Sequence, residues 1–255
     1  MKKNAEKDIE TAENQAKNNH LISAPERRVP DEETIRKMAT RLSDYNGSRS
    51  DNQNFTCMEV KDITLTGEDL SNIEAHYSKF ENCTFEEVKF NGAEFHFAQL
   101  TNCTFKNCEL KNAEFFFAGL SKVNFLNCNL GGIELPFAYG EIFCTGCMMN
   151  RWTARNANLR VVLKECDASY FDACFCNLNF DVFNSNLRRA EFNDAVAVKG
   201  QITQTDLTGA ELNRSDLSEL TLTDCATEGL ETENSTGLDD DLPSDLDELL
   251  DDEEE

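Results

Sequence analysis

Positive charge is scarce in this sequence. Lys and Arg number 24 against 48 Asp and Glu, a formal charge of -24 over 255 residues. Such a chain repels nucleic acid and anionic membrane surfaces, so neither direct nucleic-acid binding nor a membrane role is expected. The partners it favours are basic, a DNA- or RNA-binding protein or a polycation, although solubility alone would also account for the charge. The excess is uneven: 10 basic and 9 acidic side chains over 1–50, 14 and 26 over 51–230, and none and 13 over 231–255. Histidine is scarcer still, with only His20, His76 and His96. No Ser/His/Asp set, phosphate loop or His-rich metal motif can be assembled, so no enzyme and no cofactor are expected. The first twenty residues hold no apolar run, which excludes a signal peptide or a spanning helix there. The 11 cysteines, an odd number, are therefore read as reduced and the protein as cytoplasmic, with export by a specialised secretion system left open.

What is abundant is a period of five. From Ile63 to Ala138 large apolar residues recur at every fifth position, as in Leu65, Leu70, Phe80, Phe85, Phe90 and Phe95. Two residues before each stands a slim one, such as Cys83, Val88, Ala93, Ala98, Cys103, Cys108 and Cys128. Neither the 3.6 period of a helix nor the 2 of a strand gives this pattern. It needs a turn in every repeat. A period of twenty lies above it: segments opening at Ile73, Ala93, Ala113 and Ile133 each continue with Glu. Four fives make one coil of a four-sided solenoid whose like residues stack, so that the core is one-dimensional. Phe85, Phe105 and Phe125 would form one inner column and Phe95, Phe115 and Leu135 another.

The unit [small]-[polar]-[Leu/Phe]-x-x, seen in Ala113-Glu114-Phe115 and Ala210-Glu211-Leu212, resembles the pentapeptide-repeat family over roughly residues 55–230. The resemblance implies an all-β fold, a right-handed quadrilateral β-helix with its Leu/Phe and small residues inward. The stretch from Phe143-Cys144 to Lys164-Glu165-Cys166 is similar to the middle of the quinolone-resistance members. Those and the mycobacterial gyrase-interacting members are thought to imitate DNA on type II topoisomerases. They lack a long acidic tail, and their C-terminal dimerisation helix has no evident counterpart here.

The expected organisation is a polar N-terminal segment over 1–50, a β-helix over 51–230 and a disordered acidic tail over 231–255. Pro30-Asp31-Glu32-Glu33 starts a short helix over about 31–44, with Ile35, Met38 and Leu42 on one face, to cap the first coil. The five-residue register breaks twice. Between Gly140 and Ser169 the inner series meets Met148, Arg155 and Glu165. Between Phe180 and Leu187 the spacing is seven, which implies about two inserted residues. Such breaks are expected to bulge as loops, either harmless or carrying binding determinants. The first would hold the chain's one tryptophan, Trp152.

The sharpest surface feature is a column of acids. Glu74, Glu94, Glu114 and Glu134 each precede a central residue at a spacing of twenty, and should stack on one face at ~4.8 Å per coil. Like charges opposed on neighbouring strands are destabilising, so the column is either offset by neighbours or used; Lys89, Lys111 and Lys122 fall at other positions of the coil. About nine coils make a rod of ~40 Å, the length of about twelve base pairs. The partner-binding candidates are Glu74, Glu94, Glu114, Glu134 and Trp152, with Leu246, Leu249 and Leu250 in the tail, where a Ser244-capped helix would fit a partner's groove. The partner expected is a basic DNA-binding protein such as a type II topoisomerase or a nuclease. The exposed solenoid ends leave a homodimer through the last coils open, though repulsion between the tails opposes it. The alternative is an exported effector or scaffold that uses the β-helix as a rigid platform. Cys144-Thr-Gly-Cys147, with Cys166, Cys174 and Cys176, suggests a zinc site only if a second CxxC exists, and none does. The cysteines are read as small hydrophobes, with no metal.

Overall fold

A computed structural model of the chain describes Pro30, Glu33, Thr34 and residues 55–238. All but two residues of the helix expected over 31–44, and Leu246, Leu249 and Leu250, lie outside the described residues. The rest is a parallel β-solenoid. Strands β1 (Glu59–Lys61), β3 (Lys79–Glu81), β5 (Gln99–Thr101), β7 (Gly119–Leu126), β8 (Tyr139–Thr145), β9 (Asn158–Lys164), β10 (Asn177–Phe183), β11 (Ala197–Thr203) and β12 (Glu219–Thr223) form one ladder. These nine rungs make eight coil-to-coil steps. On the next face β2 (Thr64–Thr66), β4 (Thr84–Glu86) and β6 (Thr104–Lys106) stack and run into β7. The other two faces are held by single bridges per coil, such as Asp69↔Lys89 and Glu74↔Glu94.

The sequence dictates this shape locally. In one coil Ala93/Phe95, Ala98/Leu100, Cys103/Phe105 and Cys108/Leu110 are all buried, two inward residues on each of four sides. Between the pairs the chain must turn, and one turn residue takes a left-handed conformation: Asn72, Asn82, Asn102, Asn107, Asn112 and Asn127 have φ of 53–58°. Asn tolerates that region better than most residues because its short amide bonds locally. The aromatic columns stack as the spacing predicts. Phe85–Phe105 and Phe105–Phe125 centroids lie 4.8 and 5.0 Å apart, and Phe95–Phe115 4.7 Å. The slim column holds thiols that donate to backbone carbonyls, as Cys108 Sγ does to Phe85 O at 3.3 Å. Farther along, Ser185 and Thr205 take over this column, each donating to the carbonyl two residues earlier at 2.9 Å.

The two register breaks are not loops. From β8 to β9 and from β9 to β10 the pairing offset is nineteen residues, as in Tyr139↔Asn158 and Asn158↔Asn177. One residue is lost at a corner, so the turn there becomes continuous strand. Leu159, Val161 and Leu163 alternate inward in β9, and Leu178, Phe180 and Val182 in β10. The seven-residue gap before Leu187 is therefore filled by inward Val182 and Ser185, with nothing inserted. Glycine marks both ends of this stretch. Gly140 has φ +119°, and a Cβ on it would lie 1.8 Å from Leu120 O; Gly200 has φ +118°, with Phe180 O at 2.6 Å.

Within the nineteen-residue coils the order of large and small also reverses. Ala113/Phe115 and Ala190/Phe192 keep small before large, whereas Trp152/Ala154 and Phe171/Ala173 put the large residue first. Each rung still supplies one bulky and one small side chain, so its volume is kept while the five-residue signature is lost. Tyr170 and Phe175, ten and five residues before the inward Phe180, stand in the turns at 47% and 43% exposure. The coils continue past 230: Glu211 bridges Glu231, Asp216 bridges Thr236, and Leu238 is buried.

Candidate interaction face

The acid column exists and is twice as long as the sequence spacing implied. Bridges link Glu74, Glu94, Glu114 and Glu134, then Thr153, Asp172, Glu191, Glu211 and Glu231. Eight of these nine stacked positions are acidic. A spacing of twenty ends at Glu134 because the next three steps are nineteen residues, which hides Asp172 and Glu191. The spacing of Glu191, Glu211 and Glu231 was a signal that could have recovered the far half.

The column beside it explains how the charges are tolerated. At five coils the residue two places after a member of the column reaches the acid of the next coil. His76 Nε2 lies 3.3 Å from Glu94 Oε2, and His96 Nε2 2.9 Å from Glu114 Oε2. Asn193 Nδ2 donates to Glu211 Oε2 at 2.7 Å and Asn213 Nδ2 to Glu231 Oε2 at 3.2 Å. Arg155 Nε donates to Asp172. Amides solvate a carboxylate without cancelling its charge, and among these partners only Arg155 brings a permanent positive one. Mutual repulsion persists, since partial burial, Asp172 and Glu211 together raise the Glu191 carboxyl above its usual range.

One residue further, at the corner, Tyr77, Phe97, Phe117 and Phe137 form a second row. Their rings stack in parallel at 4.9, 5.0 and 4.8 Å, and all four have φ of 55–58°. Bulky residues rarely adopt that conformation, and at the corresponding place in the fold Asn156 and Asn234 do so instead. Tyr77 is 46% exposed. Farther along the rod a cationic cluster interrupts the acidic surface: Arg151 and Arg189 sit over the Tyr170 ring at 5.9 and 5.8 Å.

Of the predicted site residues, Glu74, Glu94, Glu114 and Glu134 are together on one face. Trp152 is not a contact residue. It is fully buried and stacks on Phe171 at 4.0 Å, a core side chain in place of the inner pair's usual alanine. The break expected to bulge between Gly140 and Ser169 consists of strands β8 and β9, with Met148 and Thr153 bridged to neighbouring coils between them. The cysteines of the CxxC region are inward: Cys144, Cys147, Cys166 and Cys176 are buried. Burial drives the Cys176 thiol up, so it is held protonated.

The pentapeptide repeat region family matches residues 78–139, and the pentapeptide repeats family, in eight copies, matches residues 185–225. The chain is a pentapeptide-repeat protein. The span between the two matches contains the nineteen-residue coils, where the signature is reversed. No curated protein matches this pentapeptide-repeat chain. Among solved structures it is similar to HetL, a pentapeptide repeat protein involved in heterocyst differentiation regulation from the cyanobacterium Nostoc sp. strain PCC 7120. The two are 18% identical over 71% of this chain and 88% of that one, with a TM-score of 0.33. It is similar also to full-length QnrB1, a plasmid-mediated fluoroquinolone resistance protein, at 20% identity over 70% and 92%, with a TM-score of 0.31. For Rfr23 from the cyanobacterium Cyanothece 51142 the figures are 14%, 70%, 90% and 0.16.

Proposed function

We propose that this pentapeptide-repeat protein is a non-enzymatic binding protein that sets its acidic column in the basic groove of a DNA-handling protein, where DNA would otherwise lie. The observation that carries the reading is the run of eight acids in nine stacked rungs. Eight steps of ~4.8 Å span roughly 40 Å, and the donors beside the acids orient the carboxylates while leaving most of their charge. The adjoining column is mixed, and its Asp69, Glu109, Asp167 and Asp206 add negative charge against the one lysine, Lys89. A type II topoisomerase or a nuclease has the matching groove. Binding driven this way weakens as salt screens the charges. The test is the dissociation constant for such a partner measured from ~50 to ~300 mM salt, a range over which the Debye length falls steeply. A loss of tenfold or more is expected, and an unchanged affinity would remove the electrostatic basis of the proposal.

A second reading, a protein-interaction platform, is favoured by the row Tyr77, Phe97, Phe117 and Phe137. A contiguous aromatic row, exposed at Tyr77 and half-buried at Phe97, Phe117 and Phe137, beside charged residues is a common mark of a protein interface. Replacing Phe97 and Phe117 with Asn, which suits their backbone, separates the readings. A platform loses its partner with this change, while a charge-driven complex keeps most of its affinity.

A further inference from the structure

We propose that His76, Glu94 and His96 form a surface site for a divalent transition-metal ion, zinc foremost. His76 and His96 occupy the same position in successive coils, tied by the Tyr77 N to His96 O hydrogen bond of 2.9 Å, with ring centroids 4.7 Å apart. Glu94 precedes His96 by two residues in the outward row and reaches back to His76 Nε2 at 3.3 Å. One ligating atom from each of the three lies within 4.8 Å of the others. Zinc–nitrogen and zinc–oxygen bonds of about 2.0–2.2 Å place tetrahedral ligand atoms roughly 3.3 Å apart. Side-chain rotation closes that difference, because the three side chains are only partly buried while the rungs beneath them are fixed.

The donor set selects the ion. Two imidazoles and one carboxylate suit zinc and its transition-metal neighbours and disfavour magnesium and calcium, which take oxygen ligands. Glu114 completes the arrangement from the next coil. Its 2.9 Å contact with His96 Nε2 fixes that ring and its tautomer, as a carboxylate behind a ligating histidine does, and leaves Nδ1 to the ion. Side-chain exposures of 24%, 28% and 27% for His76, Glu94 and His96 leave the remaining coordination positions open to water or to a donor from a partner. The second cluster of metal-ligating types, Asp172, Cys174 and Glu191, is a poorer site. Arg155 already holds Asp172, and burial with the Asp172 charge pushes the Cys174 thiol up to about 12.

This site does not depend on the DNA-groove reading, and its histidine variants leave the acid column intact. The intact chain, with thiols kept reduced by a non-chelating reductant, is titrated with Zn²⁺ and with Co²⁺. One equivalent should bind, with weak visible cobalt bands and no intense thiolate charge-transfer band. His76→Gln and His96→Gln should each weaken binding at least tenfold, Glu114→Gln by roughly 10–100-fold as a positioning change, and His20→Gln not at all. In the unaltered protein zinc should shift two of the three imidazole proton resonances, a readout that needs no variant to fold. No cobalt band, binding indifferent to His76→Gln and His96→Gln, unmoved imidazole resonances, or a thiolate band assigning the ion to cysteine would each overturn the proposal.

Discussion

Trp152 shows how a single side chain can be misread. As the one indole, in a segment with broken register, it had the marks of a contact residue; in the fold it is a core residue whose indole Nε1 meets no acceptor. A buried donor without a partner costs about 1–3 kcal/mol. Trp152→Phe should therefore leave stability unchanged or raise it, despite the lost volume, whereas Trp152→Ala should cost about 3–5 kcal/mol; urea unfolding measures both. The two transition glycines give the opposite case. With backbone oxygens inside the reach of any Cβ, Gly140→Ala and Gly200→Ala should destabilise by several kcal/mol or prevent folding. Gly67→Ala, where nothing lies within 4 Å of the added carbon at φ +79°, should cost only about 1 kcal/mol of backbone strain. Equal losses at all three positions would show that the coil-length transition does not depend on glycine.

At the scale of the rung, the fold was legible wherever small-x-large held, because a period of five with a slim partner leaves no other regular structure. It became illegible between Gly140 and Leu187, where two changes coincide. The coil shortens to nineteen residues, and Trp152/Ala154 and Phe171/Ala173 exchange bulk. Rung volume, the quantity packing conserves, is not visible to a search by position. The same slip concealed Asp172 and Glu191, so half of the acid column was missed while its first four members were found. The donor row of His76, His96, Arg155, Asn193 and Asn213 was half legible: His76 and His96 share the twenty-residue spacing of Glu74 and Glu94, but nothing in one sequence shows a side chain reaching to the next coil. Stacked acids make a prediction here. Glu191 has a folded-state pKa above its unfolded value, so its ionised form opposes folding, and its penalty is relieved as pH falls through that raised pKa. Glu191→Gln should stabilise the protein at pH 7 by a few tenths of a kcal/mol to ~1 kcal/mol. The gain should shrink on acidification, which thermal melts at pH 7 and pH 4 resolve. A variant that is less stable at pH 7 would mean that Glu191 contributes more through contacts than it loses through repulsion.

At the scale of the molecule, a rod closed along its sides by stacked coils has its inner residues committed to packing. Trp152, the CxxC thiols and the inner aromatics are all spent in this way, which leaves chemistry to the outward columns. Their composition differs by face: acids with amide, imidazole and Arg155 donors on one side, an aromatic row at its corner, and arginines around Tyr170 farther along. The central claim is that the acidic face is the binding face. The measurement that tests it most directly is affinity capture from a lysate, followed by mass spectrometry, with the intact protein and with a variant carrying Gln at Glu74, Glu94, Glu114 and Glu134 and at Glu191, Glu211 and Glu231. The account predicts that the intact protein captures DNA-binding proteins and that the variant, folded to the same melting temperature or higher, loses them. Capture of a set unrelated to nucleic acid, or a set that survives the substitutions, would contradict it.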